Sequence, residues 1–182
     1  MNFEAKHWIR WGIPGWVYLS SIIAYFCVKD LGASSEFIFS NQVSKIVASA
    51  TIFILAGIIL GQLIHQVSIG LGFVIWTQQA KYFRTEYEID RRIIKNDRGK
   101  EIQRIYSYRL GNLHAVRALL TSLALTLTTV IVLAYMIEYS TAILVLLIIL
   151  FVLFVIVFIN YLYFYNNFIY FVNNILIEFE SE

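Results

Sequence analysis

The fifteen residues from Ile143 to Val157 are all Ile, Leu, Val or Phe. Such a run is at home in bilayer hydrocarbon, where an α-helix satisfies its own amide groups. Three further apolar runs, at 13–28, 46–76 and 118–137, read as companions to this one at 141–165 and beyond. The first is short; a span needs about twenty residues. The fold class that follows is all-α, an integral membrane protein with four transmembrane helices. Composition agrees: 59% hydrophobic residues, 16% aromatic, one proline and a mean hydropathy of +0.71 exclude a disordered chain. The single cysteine, Cys27, excludes a disulfide framework within the chain and any multi-cysteine metal site.

Basic residues orient the spans. With the N-terminus inside, the cytoplasmic side holds Lys6, Arg10 and the ten Lys/Arg between 81 and 117, and the far side holds only Lys29 and Lys45. That asymmetry predicts both termini in the cytoplasm. "CVKDLGASS" lacks an A-x-A cleavage signal, so the first span is expected to stay as an anchor. The chain divides into an interfacial anchor at 1–12, helices one and two at 13–78, a basic cytoplasmic helical segment at 79–117, and helices three and four at 118–182. Spans two and four are too long for a bare bundle. At 1.5 Å per residue each reaches roughly 45 Å, against about 30 Å of hydrocarbon. Both are expected to leave the membrane on the cytoplasmic side, with a turn at "NDRG" (96–99) and a returning helix that feeds span three. Ser140 is the expected cap of helix four.

Two polar stripes interrupt the apolar helices. On span two, Gln62, His65 and Gln66 lie near Gly57 and Gly61, a G-x-x-x-G whose missing side chains let helices approach closely. The glycines serve packing within the chain or between subunits; Gly57 and Gly61 are assigned here to oligomer packing. On span four, Asn160, Asn167 and Asn174 repeat every seven residues and share an arc of about 40°, with a second pair at 166 and 173. Gln62, His65, Gln66, Asn160, Asn167 and Asn174 are the expected pore lining, a wet funnel that narrows into a dry throat able to gate by dewetting. A hydrogen-bonded cluster inside one bundle, or an interfacial belt among the tyrosines, is the plainer reading.

The segment 81–117 holds ten basic and five acidic residues. Positive-inside bias accounts for much of that. Basic residues also alternate with rings in "KYFRTEY" (81–87) and "RIYSYR" (104–109), the arrangement with which single-stranded nucleic acid is held by phosphate contacts and base stacking. Arg84, Arg91, Arg92, Lys95, Arg98, Arg104 and Arg109, with Tyr106 and Tyr108 for stacking, are the candidate ligand-binding residues. Anionic lipid headgroups would use the same side chains. "RLGNLH" (109–114) is an R-x-x-x-x-H of the ribonuclease type, a spacing common by chance. No Walker loop, G-x-S-x-G, H-E-x-x-H or paired intramembrane carboxylates occur. No catalytic residue, metal or cofactor is expected. At the N-terminus Trp8, Trp11 and Trp16 read as interface anchors, with Lys6 and Arg10 toward phosphates and Pro14-Gly15 ending the element.

"RWGIPGW" (10–16) ahead of the first span and "GQLIHQ" (61–66) late in the second resemble small membrane effectors of bacterial anti-phage defence, most of all the transmembrane effector of Hailong systems. The membrane-pore accessory protein of type VI-B CRISPR systems is a second resemblance, on the R-x-x-x-x-H. The first implies a homo-oligomeric ion channel held shut by a single-stranded oligonucleotide, which a partner nucleotidyltransferase encoded nearby would make. Loss of that ligand would open the pore and depolarise the cell. The expectation is a cyclic homo-oligomeric pore, not an enzyme; the alternative is a non-conducting sensor or scaffold that binds anionic lipid or a protein partner.

Overall fold

The computed structural model describes residues 3–30, 32, 43–76, 79–95 and 99–181. Among them five helices are formed: α1 (Phe3–Lys29), α2 (Val43–Trp76), α3 (Gln79–Lys95), α4 (Gly99–Met136) and α5 (Thr141–Ser181). The molecule is all-α, and four helices hold stretches long and apolar enough to cross a membrane: Trp11–Lys29, Ser44–Gly72, Gly99–Met136 and Thr141–Ile175. The returning helix that feeds span three is α4, a single element of 38 residues, and α5 runs for 41. The expected turn at 96–98 lies outside the described residues. Gly99 packs so closely on the end of α3 that a Cβ there would collide with the Ile93 carbonyl oxygen. Only glycine fits that approach.

Pro14 does not end an element. It lies inside α1, which runs unbroken from Phe3 to Lys29, so the anchor expected at 1–12 and the first span are one helix. Proline costs a helix the bond to the carbonyl four residues back; Pro14 is instead tied to α4 through its own carbonyl. Here Ser122 Oγ donates to the Pro14 carbonyl at 2.5 Å. Pro14 itself is fully buried.

The small residues of α1 and α2 explain how these two helices meet. Trp11 lies against Gly61, Gly15 against Gly57 and Gly61, and Trp16 against Gly57, so the helices run antiparallel. A Cβ on Gly15, Gly57 or Gly61 would enter the atoms of the facing helix. The Trp16 indole lies across Gly57 and donates to the Ile54 carbonyl at 3.1 Å. It is a packing wedge here, not an interface anchor. Gly57 and Gly61 are likewise corrected: α1 of the same chain occupies their face, so a second copy cannot seat there.

On α4, Ala118, Ser122, Thr126, Val130 and Ala134 recur at every fourth residue and all are buried. This ridge takes α1, with Tyr18 hydrogen-bonded to Thr129 at 3.2 Å. The Tyr25 hydroxyl, fully buried, reaches the carbonyls of Leu133 and Glu138 at 3.0 and 3.2 Å. After Met136 the chain reverses, and Ser140 Oγ accepts from the Ile143 amide at 3.3 Å, the expected helix cap. α5 returns along α4 and completes a core of Tyr25, Leu123, Val130, Ala134, Ile143 and Leu150. A second, smaller core joins Ile89 and Ile93 of α3 to Val172 of α5, with Ile102, Tyr106 and Phe168 around them. α2 packs on α1 and α4, and α5 packs mainly on α4. α2 and α5 therefore occupy different flanks.

Two polar layers bracket the bundle. At one end Lys29 lies 4.0 Å from Glu138. Residues 118–136 of α4 and 141–159 of α5 then carry no charge, and about 20 helical residues span roughly 30 Å, the thickness of hydrocarbon. At the other end stand Arg117 and Asn160. Arg109 touches Asn167, and about 11 Å of rise along each antiparallel helix brings Arg117 and Asn160 to the same depth.

Candidate functional site

The second polar layer holds most of the chemistry among the described residues. His65 of α2 and His114 of α4 face each other edge to face, ring centroids 6.3 Å apart. Arg117, one turn along α4, lies 2.8 Å from His114 Nδ1 through Nη2. A guanidinium has no acceptor. Nδ1 therefore accepts, and the neutral ring carries its proton on Nε2. Arg117 also reaches across to α2, where a Cβ on Gly72 would lie 2.7 Å from its Nη1. Glycine at 72 makes room for the cation. A cleft of about 150 Å³ opens beside the rings, lined by Trp11 and Pro14 of α1, His65, His114, Gly111, Ala115 and Ala118. At roughly 30 Å³ per molecule it has room for about five waters. Two imidazoles and a cation can orient water or pass a proton. Among the described residues no group of three His, Cys, Asp or Glu is placed to hold a metal.

Arg109 and Asn167 form a second polar contact, between α4 and α5. Arg109 Nη1 donates to the Asn167 side-chain oxygen and, at 3.4 Å, to its carbonyl. The same guanidinium sits 4.4 Å above the Phe171 ring. Arg109 thus turns toward α5 while His114 turns toward α2. The R-x-x-x-x-H is split between opposite flanks of one helix, since five residues rotate the chain by about 140°. These two side chains do not share a site.

The expected pore lining divides in the same way. Gln62, Gln66 and Asn160 are exposed on the outer faces of the chain, whereas His65 is half-buried and turned inward. Asn167 is held by Arg109, and Asn174 Nδ2 donates to the Tyr170 carbonyl one turn back at 2.8 Å. Asn167 is therefore engaged across the bundle and is withdrawn as a lining residue; the Asn174 bond is made along its own helix. The outward face of α5 carries Asn166 and Asn173 instead.

The candidate ligand residues also separate. Arg84, Arg91, Lys95, Arg104 and Tyr108 are exposed, Arg92 is half-buried, and Arg98 lies outside the described residues. Arg84 bonds Glu88 at 3.2 Å and Arg104 approaches Glu101 at 3.9 Å. Exposed pairs of this kind are weak, so a polyanion can displace the acid. Lys100, Arg104 and Tyr108 follow one another at four-residue steps along α4 and share a face. Tyr106 is corrected: its half-buried ring packs against Phe168 at 5.4 Å beside the second core and is committed to that contact. Arg109 is corrected too, being committed to Asn167 and Phe171. Lys6, Trp8 and Arg10 have side chains outside the described residues.

Sequence reasoning missed the pairing of His65 with His114. A search along one helix finds no second histidine near residue 65, and the partner comes from another helix. The signal available was the shared rarity of charged and imidazole groups in apolar runs, at His65, His114 and Arg117. No family model, curated protein or solved structure matches the chain. The resemblance to anti-phage effectors therefore stands on "RWGIPGW" and "GQLIHQ".

Proposed function

We propose that the chain assembles as a cyclic homo-oligomer in a bacterial inner membrane and forms a gated ion pore, with its termini and α3 in the cytoplasm. The observation that carries this reading is the exposure of Gln62, Gln66 and Asn160 on the outside of a single chain, at the depth where the uncharged helices end. Their exposed neighbours include Ile59, Leu63 and Ile159. Lipid leaves a carboxamide unsatisfied at several kcal/mol. A shared aqueous path or a second copy satisfies it. His65, His114 and Arg117 stand beside that layer and would set its charge and hydration.

Arg84, Arg91, Lys95 and Arg104, with Tyr108 at 71% exposure, supply the surface for an oligonucleotide ligand, cations for phosphates and a ring for a base. The resemblance supplies the setting: ligand release during infection opens the pore and depolarises the cell. The test is ion flux in proteoliposomes with and without a short single-stranded oligonucleotide. Flux that the oligonucleotide suppresses supports the proposal; a tight seal under every condition removes the pore. Oligonucleotide binding should weaken steeply with salt and with Arg84→Glu or Arg91→Glu.

A non-conducting sensor or scaffold has one observation in its favour. Phe83, Tyr87 and Ile94 are exposed at 57, 66 and 82% along one stripe of α3, beside the stripe of Arg84, Arg91 and Lys95. That juxtaposition suits a helix lying on an anionic lipid surface. Sealed liposomes together with tight binding of α3 to anionic vesicles would favour this reading.

A further inference from the structure

We propose that the outward face of α5 is a self-association seam, and that its occupant is α5 of further copies of this chain, arranged in parallel about one axis. The inference rests on the oligomer of the proposed function and names the helix that builds its centre; Gln62, Gln66 and Asn160, which face other directions, then meet neighbouring copies and not the axis.

The seam is a heptad pattern. Val152, Ile159, Asn166 and Asn173 are spaced by seven, and so are Ile148, Val155, Leu162 and Ile169, offset by four residues or three. All eight positions are exposed in the single chain. Alternating steps of four and three define the a and d positions of a coiled coil, here with β-branched residues and two asparagines at a. In the membrane half any register would be apolar. The inner half decides the matter. There the strip of Leu162, Asn166, Ile169 and Asn173 carries no aromatic ring, and is bounded by Tyr163 and Tyr170 on one edge and Tyr165 on the other.

Acyl chains are a poor cover for this inner half. It runs beside the part of α4 that carries Arg104, Arg109 and Arg117, as the Arg109–Asn167 contact shows, so its depth is outside the uncharged slab. Water covers Leu162 and Ile169 poorly. Charge permits an identical partner: a symmetric axis sets each residue against its own copy. No charged residue occurs between Thr141 and Ile177, so nothing on the seam repels itself. An asparagine at an a position meets its counterpart by hydrogen bonding and fixes register and subunit number. The axis would then present two carboxamide layers toward the basic end and an aliphatic throat beyond them.

The test uses the full chain in native membrane vesicles with Cys27→Ser as background. Single variants Asn166→Cys and Asn173→Cys are compared under oxidation with Tyr165→Cys and Ile156→Cys, which are exposed on the same helix about 80–100° away. The expected result is about tenfold more disulfide-linked dimer at 166 and 173 than at 165 and 156, as a parallel seam requires. Asn166→Val, which keeps the seam apolar, should assemble but broaden the distribution of subunit numbers seen by native mass spectrometry. No positional preference in an otherwise oligomeric protein overturns the seam and leaves the pore standing. A monomer overturns both. Preferential cross-linking in vesicles that never conduct keeps the seam and removes the pore.

Discussion

Replacing Gly61 by alanine adds one methyl group where α1 and α2 touch. The new Cβ would run into the Trp11 carbonyl oxygen and lie 3.1 Å from the Gly15 nitrogen. Both are backbone atoms, so relief requires the helices to separate. Overpacking of this kind costs about 1–3 kcal/mol. Separation also lengthens the Trp16–Ile54 hydrogen bond, worth about 1 kcal/mol. Against this stands the gain of up to about 1 kcal/mol when glycine becomes alanine in a helix. The internal control is Gly70 on the same helix, around which nothing lies within 4 Å; Gly70→Ala should keep the helix-propensity gain alone. The difference between the two variants is therefore about 2–4 kcal/mol. At roughly 2–4 °C per kcal/mol for a chain of this size, Gly61→Ala should melt about 5–15 °C below Gly70→Ala. Thermal unfolding in detergent, followed by circular dichroism, reads this directly. Equal midpoints would refute an intrachain glycine crossing and return Gly57 and Gly61 to contacts between subunits.

Asn167→Leu removes the acceptor of a half-buried guanidinium and should cost about 1–3 kcal/mol, seen as faster proteolysis of α5 beyond residue 165. Arg109→Lys should not substitute for arginine, because an ammonium cannot hold the Asn167 oxygen atoms and lie flat over Phe171 together. Ser140→Ala loses the cap on the Ile143 amide and should lower stability by about 1 kcal/mol in the same melting assay. Tyr25→Phe keeps the packed ring and loses its bond to the carbonyls at the α4–α5 turn, for about 1 kcal/mol; no change in melting would mean the hydroxyl is idle. Gly72→Leu should push Arg117 off His114, read as a change in the His114 imidazole nitrogen shifts.

Hydropathy made the four long helices legible, because a run such as 143–157 has few other fates. Ser140 was legible for a local reason: its hydroxyl serves an amide three residues away. Pro14 was misread because the packing that holds it within a helix, with Ser122 on its carbonyl, comes from more than a hundred residues along the chain. Trp16 looks like an anchor by type and position; only the facing Gly57 makes it a wedge. The strict seven-residue step of Asn160, Asn167 and Asn174 is visible in the sequence, but its direction is not. Arg109 decides that direction by drawing Asn167 inward, which leaves Asn166 and Asn173 outside. The ridge from Ala118 to Ala134 was overlooked since small and hydroxyl residues in an apolar helix look like filler until a partner helix covers them.

α4 and α5 cross from the uncharged slab to the basic end without a joint, tied to each other by Arg109 and Asn167. A pair of rods coupled in this way bends poorly, so a sideways pull on Arg104 swings the far portions in the opposite sense, like a lever about its fulcrum. The arm from Arg104 to Arg117 is roughly 20 Å long, against about 29 Å beyond it. A displacement at Arg104 would reach the far ends of both helices at about one and a half times its size.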